Sequence, residues 1–313
     1  MRFKKQVITA IIFLSLSQVV FGAKYAGEFL SLGAGARPIA LGGAYVAERA
    51  SLLGGYYNPA GLSGVQSTQA IFMHAETFGS LLNHDFIAYA RPVGSDESQS
   101  ALAVSMSRLG GGGIIITGSD ETGRFYKIEE ESHADYAAYF SFGKRIGKMQ
   151  AGVSAKLIYR DIVDETAFGL GLDIGGIISP ASWADFGLNL QDVTTTLLSY
   201  STGTKESIYP TAKLGGRFHG SKGKFIGTLY SDADIKFEDR GYAAQVSAGP
   251  ASADMHFGLE VSYMHKLAAR IGSDAGNLTL GAGLSFSSFA VDLAMRDHSD
   301  LDNTFLVSLI AGF

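Results

Sequence analysis

The chain has 313 residues and a formal net charge of −5, with 40 glycines, 20 phenylalanines, 14 tyrosines and no cysteine. The absence of cysteine excludes disulfide bonds and thiolate metal sites, and the lack of a basic excess argues against nucleic acid as a partner. Glycine combined with aromatic residues is typical of strongly curved sheets and of the aromatic girdles of membrane barrels.

The first residues predict a secretory signal. Basic side chains at the start precede an apolar stretch from Val7 to Phe21, and Gly22 supplies the small side chain that a signal peptidase accepts. The apolar stretch is short for a membrane-spanning helix, although a retained N-terminal anchor is the alternative. We therefore expect residues 1–22 to be removed and the protein to be exported.

The next segment, residues 33–62, reads GAGARPIALGGAYVAERASLLGGYYNPAGL and is rich in small side chains. It lacks the alternation of a strand. Pro38 suits the first turn of a short helix, which we expect to run to about Ala47, and the glycines would let the backbone pack closely in a confined space. The sequence predicts a partly helical plug over residues 23–66, inside a lumen formed by residues 67–313.

The rest of the chain alternates apolar and polar side chains in units of roughly ten residues, separated by turns rich in glycine, serine, aspartate and asparagine. In residues 136–143, for example, Phe140 and Phe142 share one face, whereas Tyr139 and Ser141 share the other. Alternation alone also fits a soluble β-sandwich whose apolar face turns inward.

Counting these units predicts about fourteen strands, an even number as in single-chain bacterial barrels. The expected starts are Thr68, His84, Ala101, Asp135, Met149, Ala167, Trp183, Ile208, Phe225, Met255, Leu267, Leu278, Phe289 and Thr304. Every second connector is short, as expected of periplasmic turns, whereas Gly110–Ala134, Val193–Ser207 and Lys236–Asp254 are long, as expected of outer loops. The fold predicted is an all-β, transmembrane antiparallel β-barrel with a short N-terminal plug.

The last strand adds a further indication of an outer-membrane barrel. Phe305, Val307, Leu309 and the terminal Phe313 share one face of it. A terminal phenylalanine on such a strand resembles the signal that the barrel assembly machinery reads. We therefore expect the bacterial outer membrane as the location, with outer-membrane lipid and the barrel assembly machinery as partners.

Reactive side chains form no catalytic pattern. No GxSxG element occurs and the histidines are scattered, so we expect no enzyme activity. Gly110–Gly113 is not followed by Lys-Ser or Lys-Thr, and we interpret it as a flexible loop entry rather than a phosphate loop. Asp297, Asp300, Asp302 and Asn303 share a predicted outer loop without the spacing of a calcium loop. We predict no metal site and no cofactor.

Charged residues of both signs fall on the predicted lumen face. They are Lys156, Arg160, Asp173, Lys213, Arg217, Glu260, Asp292 and Arg296. They would either line a permeation path or pair with one another and with the plug, which would close the barrel. We favour mutual pairing.

The glycine-rich N-terminal segment carries a family resemblance. The residues concerned are Gly35, Ala36, Arg37, Gly42, Gly43 and Ala44, followed by Tyr57, Asn58, Pro59, Ala60, Gly61 and Leu62. This pattern resembles the N-terminal region of the PorV/PorQ family, which is related to FadL-type outer-membrane transporters. Residues 47–50, Ala-Glu-Arg-Ala, stand where that family has an acidic ADDA-like element.

The resemblance implies two competing functions for a non-enzymatic barrel. Likeness to PorV implies an accessory or shuttle role in type IX secretion, with secretion-system components as partners. Likeness to FadL implies passive uptake of a small hydrophobic ligand through a plugged barrel. The motifs favour the PorV side. A structural or adhesion barrel, whose outer loops bind a partner, is a third hypothesis.

Overall fold

A computed structural model describes residues 26–94, 99–238, 240–298 and 302–312. The predicted signal over residues 1–22 and the terminal Phe313 lie outside the described residues, as does Asp300. Among the described residues, no helix is long and apolar enough to cross a membrane.

The described residues form one antiparallel sheet of seventeen strands. These are β1 (Gln69–Thr77), β2 (Leu82–Pro92), β3 (Ser100–Ser119), β4 (Phe125–Ile146), β5 (Met149–Ile162), β6 (Glu165–Ala181), β7 (Ala184–Gln191), β8 (Thr196–Tyr200), β9 (Lys205–Ile208), β10 (Thr211–Lys222), β11 (Phe225–Lys236), β12 (Val246–Ala248), β13 (Ala251–Tyr263), β14 (Leu267–Asp274), β15 (Asn277–Ser285), β16 (Phe289–Arg296) and β17 (Thr304–Gly312). β1 pairs with both β2 and β17, which closes the sheet into a barrel.

Fourteen of these strands build the barrel wall, so the predicted strand number is confirmed. β8 and β9 form a hairpin in the connector between β7 and β10, and β12 lies in the connector between β11 and β13. Five strands, namely β5, β11, β14, β16 and β17, begin at the residue predicted for them.

The two faces of the wall follow the predicted alternation. Phe140 is 51% exposed on the outer face, whereas Tyr139 and Ser141 are 2% and 3% exposed on the inner face. Successive side chains of a strand point to opposite faces, so one apolar set faces outward along the whole strand. The inward set encloses the N-terminal segment and not an apolar core of its own, which excludes the soluble sandwich.

The barrel has two different ends. We call the end where β1 begins and β17 ends the terminal end, and the opposite one the loop end. At the terminal end, the two-residue turns after β4 and β10 use Gly147 and Gly223 at φ values of 60° and 62°, a conformation that glycine adopts at little cost and that suits tight hairpins. The β8–β9 hairpin lies at the loop end.

The predicted long outer loop Gly110–Ala134 is wrong, because most of it is strand. β3 and β4 stay paired up to Ser119 and Phe125, and β2 ceases to accompany β3 at Gly110. Residues 111–133 therefore project beyond the barrel rim, and we call them the projecting hairpin. Its isoleucine-rich β3 half has strong strand propensity, and a bulge between Gly111 and Ile114 absorbs the break in register.

The N-terminal segment lies inside the barrel as a plug. It contains a 3-10 helix Glu28–Ser31, short α-helices Ala36–Ala40 and Gly54–Tyr57, and a second 3-10 helix Pro59–Gly64. The predicted helix from Pro38 to Ala47 is wrong, because it ends at Ala40. Gly42 and Gly43 follow with φ values of 68° and 81°, and this left-handed conformation cannot continue an α-helix.

Candidate functional site: the plugged lumen

Glycines of the wall let the plug backbone lie directly on the strands. Gly143, Gly152 and Gly175 are neighbours in register on β4, β5 and β6. A Cβ atom added at any of the three would overlap Pro59 or Asn58 of the plug. Only glycine permits so close an approach of one backbone to another, so this row forms a seat for the predicted NPAG motif.

Two further glycine rows seat other parts of the plug. Each consists of two glycines directly opposite one another on neighbouring strands. The rows are Gly187 with Gly215, against Val46, and Gly258 with Gly272, against Leu41. The plug is therefore held by backbone contact at three places around the wall, and sequence inspection did not identify these glycines as plug contacts.

Asn58 ties the plug to the wall with its side-chain amide. Its Nδ2 donates to the carbonyl oxygens of Val46 at 2.7 Å and of Gly176 and Leu188 at 3.3 Å each. Its Oδ1 accepts the backbone N–H of Ala60 at 3.1 Å. Buried amides normally satisfy their hydrogen-bonding groups in this way, so Asn58 joins two parts of the plug to β6 and β7.

Arg37 lies at the centre of a buried polar cluster. Its guanidinium donates to Glu260 at 2.9 and 3.0 Å and to Glu48 at 3.3 Å. It also donates to the hydroxyls of Tyr45 at 2.9 Å and Tyr230 at 3.1 Å. A buried charge is tolerated when it is paired and hydrogen-bonded, and Arg37 thereby links the plug to the wall strands β11 and β13.

The charge cluster continues along the wall. Glu260 also accepts a hydrogen bond from Arg270 Nε at 2.6 Å, and Arg270 Nη1 donates to Asp292 at 2.6 Å. Positive and negative groups alternate from Arg37 through Glu260 and Arg270 to Asp292. Within this row of four residues, neighbouring charges therefore compensate each other.

The eight charged residues predicted for the lumen all have inward-facing partners. The remaining contacts are Lys156 with Asp192 at 2.8 Å and Asp173 at 3.6 Å, Arg160 with Asp135 at 2.8 Å, Lys213 with Asp234 at 2.5 Å, Arg217 with Asp185 at 2.8 Å, and Arg296 with Asp274 at 3.1 Å. The structure thus places them in ion pairs with the wall and, through Arg37, with the plug.

An aromatic cluster fills the lumen beside the charges. Tyr56 contacts Tyr57, Tyr139 and Phe86 with ring centroids 4.9, 5.9 and 6.1 Å apart, and Tyr57 contacts Tyr45 at 5.2 Å. All four contacts are edge-to-face, an arrangement that aromatic pairs favour. Tyr57 belongs to the motif recognised in the sequence. The cluster as a whole is not visible in any local pattern, because its members come from four separate segments.

Two of these tyrosines also hold the segment between the first two short helices of the plug. Tyr57 accepts the backbone N–H of Ala34 at 3.0 Å, and Tyr56 accepts that of Gly33 at 2.9 Å. Burial raises the pKa of the Tyr57 phenol well above its usual value, so the hydroxyl stays neutral. These hydrogen bonds therefore join two parts of the plug to each other.

Little space is left inside. Two cavities of about 140 and 50 Å³ lie in the lumen near Lys213, with polar linings. Cavities of this size and polarity hold water molecules. A larger cleft of about 420 Å³ opens at the loop end, beside the helix Glu28–Ser31.

No grouping of side chains suited to hold a metal ion occurs among the described residues. Of the four residues considered for calcium in the predicted outer loop, Asp297, Asp302 and Asn303 are described. Many polar groups of the lumen are engaged with one another or with the plug backbone, but Ser105 Oγ, Gln150 Oε1, Asn189 Oδ1 and Asp232 Oδ1 are buried without a hydrogen-bond partner.

Fold and site together define a closed antiparallel β-barrel whose lumen holds an N-terminal plug. No protein-family profile and no curated protein sequence matches the chain. Solved structures do match: the monoaromatic hydrocarbon channel CymD has a TM-score of 0.60 and 11% identity, over 90% of this chain and 98% of its own.

Two further solved structures agree with this assignment of the fold. The Ralstonia pickettii toluene transporter TbuX has a TM-score of 0.58 and 12% identity, over 90% of this chain and 98% of its own. A Pseudomonas aeruginosa FadL homologue has a TM-score of 0.52 and 10% identity, over 87% and 96% of the two chains. At identities this low, the likeness shows that the fold is shared and nothing beyond the fold.

Proposed function

We propose that this protein is a passive transporter of small hydrophobic molecules in the bacterial outer membrane. The observation that carries the proposal is the shared fold, which matches a toluene transporter over 90% of this chain and 98% of that one. The match is nearly end to end for both proteins.

The outer face of the barrel supports a membrane location. Large apolar side chains are exposed around the wall, among them Phe72, Leu102, Phe140, Phe257 and Leu309. A soluble monomer rarely exposes so extensive an apolar surface, whereas a closed barrel satisfies every ladder hydrogen bond and presents this face to lipid.

The filled lumen argues against a general diffusion pore. A barrel of this strand number would enclose a wide lumen if it were empty, but the plug and the paired charges occupy it. Transport of selected molecules through a rearrangement of the plug or of its edge fits this construction better than free passage of ions and sugars.

The secretion-accessory hypothesis depends on the sequence resemblance to PorV/PorQ. The structural neighbours include FadL-type hydrocarbon transporters and therefore support the transport alternative better. These neighbours do not support the secretion-accessory function that the sequence motifs favour.

Uptake by cells tests the proposal. The protein is produced in a Gram-negative host, and heat-dependent electrophoretic mobility of the outer-membrane fraction verifies that the barrel has folded there. Entry of radiolabelled toluene is then compared with entry of labelled sucrose, in producing cells and in vector controls. We expect faster toluene entry and unchanged sucrose entry. Equal toluene entry in both cell types, with the folded barrel present, would contradict the proposal.

A further inference from the structure

The cleft at the loop end has two chemically different walls. Its volume is about 420 Å³, whereas a cavity of roughly 150 Å³ already accommodates benzene. Phe29, Phe78 and Leu109 line the apolar wall, and Asp274, Asn277 and Arg296 line the polar one. The cleft is therefore large enough for one aromatic ring with a polar substituent.

The apolar wall is held in place by the structure around it. Phe29 of the plug and Leu109 of β3 are 6% and 7% exposed. Phe78 lies in the turn between β1 and β2 with a φ of 56°.

The polar wall is rigid and nearly neutral. Arg296 Nη1 donates to the carbonyl oxygen of Leu32 at 3.2 Å and to Asp274 at 3.1 Å. Asp274 also lies 3.1 Å from the imidazole Nδ1 of His256. Glu28 also lines the cleft and lies 3.8 Å from the ammonium group of Lys236. Because Asp274 and Glu28 each have a cation as partner, the wall suits an uncharged hydrogen-bonding group better than an ion.

We propose that this cleft binds small amphipathic molecules, each with one aromatic ring and an uncharged hydroxyl or carbonyl group. The ring would lie against Phe29, Phe78 and Leu109, and the polar group against Asn277 and the Arg296–Asp274 pair. The inference rests on the proposed transport function, for which the cleft is the entry site, and it narrows the substrate class.

Hydrogen bonding should make the cleft selective among aromatic molecules. A pure hydrocarbon in this cleft would displace water from Asn277, Asp274 and Arg296 without replacing its hydrogen bonds, which weakens binding. A site that hydrogen-bonds a hydroxyl group discriminates strongly against an analogue that lacks it. We expect p-cresol to bind about tenfold more tightly than toluene, which has the same ring and methyl group.

Direct binding to the purified full-length protein in detergent tests this selectivity. Isothermal titration is performed with p-cresol and with toluene, on wild-type protein whose folding is verified by heat-dependent mobility. Phe78→Ala should weaken p-cresol binding about tenfold, because an aromatic contact is lost. Leu81→Ala is the matched control, since Leu81 belongs to the same turn but is 73% exposed and should bind normally.

A second variant examines the polar wall. Asn277→Leu should bring the affinities for p-cresol and toluene close to one another, because it removes a hydrogen-bonding group and leaves the Arg296–Asp274 pair intact. Equal binding of the two ligands by the wild-type protein would overturn the proposal. So would p-cresol binding that neither Phe78→Ala nor Asn277→Leu alters, since the ligand would then occupy another site.

The two proposals fail in different ways. If p-cresol binds as expected but producing cells take up neither toluene nor p-cresol, the cleft exists and the transport function is wrong. If toluene uptake depends on the protein but p-cresol shows no preference in binding, the transport function stands and the cleft proposal is wrong.

Discussion

Three rows of glycines in the barrel wall lie against the plug, whereas Gly112 and Gly113 of the projecting hairpin face open space. A Cβ at Gly152 would overlap Pro59, but Gly112 and Gly113 have no atom within 4 Å of an added Cβ. In the wall, glycine permits contact between two backbones. At the rim it bends a strand, since Gly113 has a φ of 83° beside the bulge.

The charged residues of the plug and of the projecting hairpin differ in how far their ion pairs are exposed to solvent. Arg37 of the plug is surrounded by carboxylates and tyrosine hydroxyls, and its removal would take one of the two neighbouring cations from both Glu48 and Glu260. In the hairpin, Lys127 and Glu130 form an ion pair at 2.5 Å, with about half of each side chain exposed, and such pairs contribute little to stability. The stability of the molecule should therefore depend on the plug contacts and hardly on the hairpin.

The largest effect is expected for Arg37→Ala. Glu48 and Glu260 would lose the cation between them, and breaking a buried charge cluster costs about 3 kcal/mol or more. The measurement is the urea concentration at which the heat-dependent mobility shift disappears, together with single-channel conductance in planar bilayers. We expect a lower midpoint and new conductance. Arg124→Ala in the hairpin is the control, and equal midpoints for both variants would contradict the assigned role of Arg37.

An intermediate effect is expected for Gly152→Val. The added side chain would collide with the Pro59 backbone, and overpacking of this kind costs about 1–3 kcal/mol. Gly227→Val on β11 is the matched control, because that wall glycine has no atom within 4 Å of an added Cβ. Urea midpoints of the two variants, measured in the same detergent, should differ. A wild-type midpoint for Gly152→Val would show that the plug does not rest on this glycine row.

The smallest effect on stability is expected from cutting the projecting hairpin. Trypsin should cleave the folded protein after Arg124 or Lys127, because both are exposed near the turn and local opening there requires little energy. Boiled samples should show two fragments, while unboiled samples keep the mobility and urea midpoint of the intact barrel. A midpoint lowered by cleavage would mean that the hairpin contributes to the barrel after all.

Turn positions explain which ion pairs were predictable. Asp135 lies directly opposite Arg160 across the tight turn between β4 and β5, and Lys213 lies directly opposite Asp234 across the turn between β10 and β11. The length of a hairpin turn sets the register of its strands. Sequence and turn position together therefore specify these pairs, although sequence inspection assigned only the face on which the charges lie.

The prediction of a loop where the projecting hairpin lies is wrong for a physical reason. Its glycine run and its consecutive acidic residues, Glu129 to Glu131, are typical of loops. The two strands nevertheless pair in this region. Ile114, Ile115 and Ile116 each lie opposite a residue of β4, and cross-strand pairs of side chains stabilise a sheet. Pairing of this kind depends on the neighbouring strand and not on the local pattern, so a local reading assigns too little strand.

By itself, the sequence determined the barrel: its period of two, its strand number and its short turns are local properties, each encoded within about ten residues. Only the tertiary structure decided how the lumen is filled. Arg37 meets Glu260 across 223 positions of the chain, and Pro59 meets glycines from three different strands. Such contacts depend on the closure of the sheet around the plug, which brings distant residues together and which no local pattern records.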